Sequence, residues 1–129
     1  MFKAKKAFSG FSVNDLASAK LFYSETLGLI VADEGVGLRL HLPGEGSVFA
    51  YPKEDHRPAA FTILNLVVEN IDEAVDALIN QGVQFEQYEG APQDDKGIMR
   101  PPKDANYGPP IAWFKDPAGN ILSVIEENH

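Results

Sequence analysis

Apolar positions along this chain follow two periods that alternate with each other. Leu16, Ala19, Phe22, Tyr23 and Leu27 recur at helical spacing and share one face. Ile71, Ala74, Val75, Leu78 and Ile79 do the same further on. Between these stretches the period drops to two, most cleanly in Gly37-Leu38-Arg39-Leu40-His41-Leu42. The spacing predicts a helix opening at Asp15 and stopped by Gly28, and a second opening at Asn70 and stopped by Gly82. Asp and Asn are good N-caps, Asn70 with Glu73 makes a capping-box-like pair, and the two glycines suit the C′ position.

Each helix follows a strand-like run, residues 8–13 and residues 61–68, and three more such runs come after it. After the first helix these are residues 29–32, 37–42 and 47–51. After the second they are residues 83–88, 111–114 and 120–126. The order β-α-β-β-β is thus written twice, with the copies offset by about 55 residues, close to half the chain. The expected fold is α+β: one domain, residues 1–129, made of two βαβββ modules over residues 1–57 and 58–129. In the second module Leu64, Leu66 and Val68 should face the helix. Ile63, Asn65 and Val67 face the other way and are also largely apolar, which predicts a covered cavity there.

Composition narrows the function. The chain has 129 residues, 44% of them hydrophobic, enough for one ordinary core. Eleven Lys+Arg against nineteen Asp+Glu leave a net charge of −8, which disfavours nucleic acid as a partner. No apolar run approaches about 20 residues, so no membrane span is expected. With no cysteines and no apolar signal core, a cytoplasmic location is expected. Residues 89–110, rich in Pro, Gly, Asp and Lys, break the repeat. A loop of that length reads as a lid or binding loop, or else as a surface excursion. Its Met99 and Arg100 are candidates to contact a ligand.

The motifs Leu21-Phe22-Tyr23, Leu27-Gly28-Leu29 and Phe114-Lys115-Asp116-Pro117-Ala118-Gly119-Asn120 resemble the vicinal oxygen chelate superfamily over nearly the whole chain. That group holds glyoxalase I, extradiol dioxygenases, fosfomycin-resistance enzymes and bleomycin-resistance proteins. The resemblance implies paired modules forming a cup-shaped mixed sheet with helices on its outer face. It also implies a homodimer and, in the metal-dependent members, one divalent ion held by His, Glu or Gln. Carried over one at a time, three ligand positions fall on Phe8, Ile63 and Ser123. The fourth lies on the strand ending at Tyr51, where Val48, Phe49 and Ala50 offer no ligand. Adjacent residues Ala7, Ser9, Thr62, Leu64, Leu122 and Val124 do not rescue the site. Phe and Ile have no donor and a neutral hydroxyl is a poor ligand alone, so no metal and no other cofactor is expected.

His41, His56 and His129 stand in three unrelated settings and make no replacement shell. Metal-free acid–base chemistry has weak catalytic candidates in His41 and Tyr51. Asn65, Glu86, Tyr88, Tyr107 and Trp113 are further side chains able to point into a cup. Each also has a plainer reading: Arg39 and His41 as solvated strand positions, Tyr51 and Trp113 as core or dimer-contact aromatics. The residues and the resemblance together imply three functions. The first is a small-molecule-binding protein whose cup is lined by Phe8, Arg39, Tyr51, Ile63, Asn65, Met99, Arg100, Trp113 and Ser123, taking an organic, partly apolar ligand. The second is an enzyme, a lyase, isomerase or dioxygenase relative with non-standard ligands or acid–base residues. The third is an interaction module whose cup is filled by its own side chains.

Overall fold

The computed structural model describes residues 1–101 and 108–127. The chain divides into two compact units, Met1–Pro58 and Ala59–His129. In the first unit β1 (Ser9–Val13) leads into α1 (Leu16–Leu21), which continues as a π-helical turn over Phe22–Thr26. Strands β2 (Ile30–Asp33), β3 (Leu38–His41) and β4 (Ser47–Pro52) follow. They form a four-stranded sheet in the order β1-β4-β3-β2, parallel between β1 and β4 and antiparallel elsewhere.

The alternating pattern decides which side chains meet the helix. Phe11, Val13, Leu38, Leu40, Val48 and Ala50 are buried on one face, where Tyr23 of the π-turn packs on Phe11 at 5.7 Å between ring centroids. Asp15 caps α1 as its sequence implies, accepting from the Ala17 and Ser18 amides at 2.9 and 3.3 Å. The single regular helix expected up to Gly28 is corrected. Its last turn is widened, with the Leu27 amide reaching back five residues to the Phe22 carbonyl.

In the second unit β5 (Thr62–Val68) leads into α2 (Ile71–Asn80), followed by β6 (Ile111–Lys115) and β7 (Ile121–Glu126). The sheet order is β5-β7-β6, parallel then antiparallel. Asn70 caps α2 through the Glu73 amide at 3.0 Å. Gly82, at φ +94°, closes it: the Gly82 amide bonds the Ile79 carbonyl and the Val83 amide bonds the Leu78 carbonyl. That pair of bonds is the Schellman ending, which needs a residue of positive φ at that position.

The expected strand over residues 83–88 is corrected too. Only an isolated bridge, Phe85 to Phe114, and the Glu86 amide bond to the Trp113 carbonyl survive of it. The Glu86 carbonyl does not extend the ladder, because the Gln93 side-chain amide bonds it at 2.8 Å. The covered cavity expected beside Ile63, Asn65 and Val67 is likewise corrected: Val67 is 67% exposed and Asn65 is exposed as well.

Candidate functional site

On the first unit, the sheet face turned away from α1 carries the densest chemistry. Arg39 on β3 pairs across the ladder with Phe49 on β4, and the guanidinium carbon lies 4.9 Å from the centroid of that ring. Phe8, just ahead of β1, brings its ring to 4.4 Å from the same carbon and meets Phe49 edge-on at 6.5 Å. Tyr51, two residues along β4, stacks beside Phe49 at 6.4 Å and 19° between planes. Both distances to Arg39 lie within cation–π range.

The arrangement needs Gly37. A Cβ there would stand 2.5 Å from Phe49 Cζ and 2.7 Å from the Ala50 carbonyl oxygen. The patch therefore occupies space that only a glycine leaves free.

Charge on this face is balanced locally. Arg39 Nε and Nη2 donate to the two Glu34 carboxylate oxygens at 3.3 and 3.2 Å, and Nη1 reaches Ser47 Oγ at 3.5 Å. Next to Tyr51 across the parallel ladder stands Ser12, whose Oγ is 2.6 Å from His56 Nδ1. His41 pairs with Ser47 at the other end of the face, roughly 13 Å along the strands from the Tyr51 position by the usual rise per residue. The two weak catalytic candidates are thus not brought together.

On the second unit, Asn65, Ser123 and Trp113 stand in one row across β5, β7 and β6. Ser123 is fully buried, and its hydroxyl donates to Asn65 Oδ1 at 2.5 Å. Trp113 meets Tyr88 edge-on at 5.6 Å. Burial, and then the neighbouring Glu86 carboxylate, raises the Tyr88 phenol above its ordinary value. Ile63 sits where the β5–β7 register slips between Thr62 and Leu64, so it is the extra residue of a bulge.

Met99 and Arg100 belong to a segment that is tied down. Met99 exchanges backbone bonds of 2.8 and 3.1 Å with Ile111, and Ile98 beside it is buried. Arg100 bonds Asp72 at the start of α2 at 2.6 Å and lies 3.6 Å from Asp94. The Asp72 hydrogen bond is the main cause raising its already high pKa. Lys96 pairs with Asp76 at 2.6 Å and is raised chiefly by that bond. Residues 102–107 of the expected loop, with Tyr107, lie outside the described residues, as does His129.

The divalent ion that the resemblance implies needs several donors converging in one place. Phe8 and Ile63 supply none, and the Ser123 hydroxyl is engaged by Asn65. The bulge at Ile63 leaves one residue of slack, but Thr62 and Leu64 bring no imidazole or carboxylate either. Among the described residues no three His, Asp or Glu side chains converge as an ion needs. Phe8, Ile63 and Ser123 do not fit a divalent ion. Also among the described residues, no helix is long and apolar enough to cross a membrane.

Phe49 and the Ser12–His56 pair escaped the sequence reading as site residues. The alternation of β4 carried the signal for Phe49, since Val48 and Ala50 point inward and Phe49 and Tyr51 must then share the outer face. Ser12 and His56 are 44 residues apart, and nothing local links them.

TnmS3, an antibiotic binding protein from Streptomyces sp. CB03234, is 24% identical with a TM-score of 0.67, over 98% of this chain and 100% of that one. A genomically encoded fosfomycin resistance protein, FosX from Listeria monocytogenes, is 10% identical with a TM-score of 0.69, over 98% and 96%. A putative glyoxalase family protein from Bacillus anthracis is 19% identical with a TM-score of 0.66, over 99% and 100%. At such identities the likeness speaks for the fold. No curated protein matches the chain. The model of the Glyoxalase/Bleomycin resistance protein/Dioxygenase superfamily matches residues 9–124, and the chain belongs to that superfamily.

Proposed function

We propose that the chain is a metal-free small-molecule-binding protein that takes an organic, partly aromatic ligand on the first unit's open sheet face. One observation carries the reading: Phe8, Arg39, Phe49 and Tyr51 form a contiguous aromatic and cationic surface, with Phe8 60% and Tyr51 38% exposed. By the family resemblance Phe8 takes a position where metal-dependent members place a ligand, so the side chain that removes the donor also builds the surface. Exposed aromatic rings beside one charged group are what an aromatic compound needs for stacking and orientation. The antibiotic-binding activity named for the Streptomyces relative supports the same class of function. A cytoplasmic homodimer completes the proposal, and sedimentation at several concentrations checks the dimer.

Two measurements test it. Elemental analysis of the purified chain is expected to find no stoichiometric ion, and chelator is expected to leave the melting temperature unchanged. A thermal-shift screen of aromatic compounds is expected to give hits that Phe8→Ala weakens. A stoichiometric, chelator-sensitive ion, or hits indifferent to Phe8→Ala, would overturn the reading.

One observation favours the enzyme reading as second choice. The 2.6 Å Ser12–His56 contact beside Tyr51 places a hydroxyl within hydrogen-bond reach of an imidazole. If that pair moves protons, turnover of a ligand found in the screen is lost in His56→Ala with binding retained. Binding and turnover that both survive His56→Ala reject it.

A further inference from the structure

We infer that the ligand is an aromatic carboxylate, bound by Arg39 in the place that Glu34 now occupies; the inference rests on the small-molecule reading above. Arg39 engages Glu34 by two donors on one edge, Nε and Nη2, one to each carboxylate oxygen. This is the planar two-point geometry in which arginine recognises carboxylates. Glu34 thus shows how a carboxylate sits on this guanidinium.

The exposures of the partners say which one can be exchanged. The Arg39 side chain is 21% exposed, with its guanidinium against the rings of Phe8 and Phe49, whereas that of Glu34 is 42% exposed. Arg39 is the fixed half of the pair and Glu34 the solvent-facing half. Glu34 lies between β2 and β3, where its amide bonds the Gly37 carbonyl at 2.9 Å, so its backbone position does not depend on the ion pair.

Displacing Glu34 costs little, because a solvent-exposed pair contributes little net free energy, whereas a ligand carboxylate shielded from water by its own ring is held more strongly on the same guanidinium. The ring of the incoming ligand then decides the balance. An aromatic ring attached to the carboxylate is carried over Phe8 and Tyr51 and gains stacking and burial that Glu34, with two methylenes, cannot offer. A cationic ligand would meet the Arg39 guanidinium beside the same rings. The chain's net charge of −8 opposes an anion only weakly, since charges beyond about 10 Å are screened at ordinary salt.

The test uses three probes of one shape on the full chain: 2-naphthoate, 2-naphthamide and 2-naphthylmethylammonium, with affinities measured by calorimetry. Naphthoate is expected to bind about tenfold more tightly than naphthamide, the equivalent of one charge-assisted hydrogen bond. Arg39→Gln should bring naphthoate down to the naphthamide level. Glu34→Gln should tighten naphthoate severalfold and leave naphthamide unchanged, because it removes an internal competitor. Circular-dichroism melts, with Arg39→Lys as a second variant that keeps charge but loses the fork, separate this from misfolding. Equal binding of naphthoate and naphthamide, or naphthoate binding insensitive to Arg39→Gln, overturns the carboxylate inference and leaves the small-molecule reading standing. Tightest binding of the ammonium probe overturns it in favour of a cationic ligand. Failure of all three probes, together with an empty thermal-shift screen, overturns both.

Discussion

The two units of this protein start from nearly the same sequence signals and end with different surfaces. Both open with a strand, a capped helix and a glycine stop. In the first unit the chain then makes an ordinary hairpin, so the sheet has four strands and one face is left with an open row of aromatic and charged side chains. In the second the equivalent of β2 dissolves into one bridge at Phe85, and Met99 takes up the other end of the β6 edge. The polar groups of the second unit are spent internally: Ser123 on Asn65, Gln93 on the Glu86 and Gly97 carbonyls, Arg100 on Asp72. A repeat fixes the fold of both halves, but in the first unit the ion pair of Arg39 and Glu34 is set against exposed aromatic rings, whereas in the second Arg100 ties a segment to α2.

The sharpest way to break that contrast is to crowd the first unit's face. Gly37→Ala puts a methyl 2.5 Å from Phe49 Cζ and 2.7 Å from a backbone oxygen. The ring can turn, but the Ala50 carbonyl cannot yield without moving β4. A loss of about 1–3 kcal/mol is expected, as for other overpacked sites, read from urea unfolding. Binding of any aromatic hit should fall with it, because Phe49 joins Arg39, Phe8 and Tyr51. Unchanged stability would mean that the hairpin before β3 relaxes freely and that Gly37 does not build the patch.

The second unit offers an asymmetric pair. Ser123 is fully buried, whereas Asn65 is exposed. Asn65→Ala strips the acceptor from a buried hydroxyl and should cost about 1–3 kcal/mol. Ser123→Ala leaves the Asn65 amide free to turn to water and should cost less, about 1 kcal/mol or under. The double variant should be no worse than Asn65→Ala alone, since no stranded hydroxyl remains. Equal costs for the two single variants would show that the bond's strength and not the burial of Ser123 controls the site.

What could be read from the sequence was what short-range physics encodes. Asp15, Asn70 and Gly82 announced the helix ends because capping acts within a few residues. The alternation through Leu38, Arg39, Leu40 and His41 gave the two faces of β3 correctly, since side chains must alternate across a pleated strand. The misses have two sources: a widened turn within the first helix itself, where the Leu27 amide bonds the Phe22 carbonyl, and partners outside the element concerned. The residues 83–88 carry the composition of a strand, but their fate was decided by Gln93 capturing the Glu86 carbonyl. The bulge at Ile63 is a property of the β5–β7 ladder and not of β5. The candidate ligand residues were named as one cluster, yet their surroundings differ: Phe8, Arg39 and Tyr51 gather around Phe49, while Arg100 is held by Asp72 and Asp94.

The smallest expected effect concerns that last residue. Arg100 ties the segment carrying Met99 to α2 through Asp72 and lies 3.6 Å from Asp94 of its own segment, and its side chain is 42% exposed. Solvent-exposed pairs of this kind contribute about 0–1 kcal/mol, so Arg100→Ala should barely move the midpoint of global unfolding. Its effect should appear locally. The Met99–Ile111 backbone bonds cover the end of β6, and with Asp72 no longer engaged the Met99 amide should exchange faster while the Ala112 and Val124 amides keep their protection. Aromatic probes bound on the first unit should be indifferent to the change. A loss of their affinity in Arg100→Ala would show instead that Arg100 contacts ligand, and would remove the contrast between a first unit whose ion pair lies against exposed rings and a second whose ion pair ties down a segment.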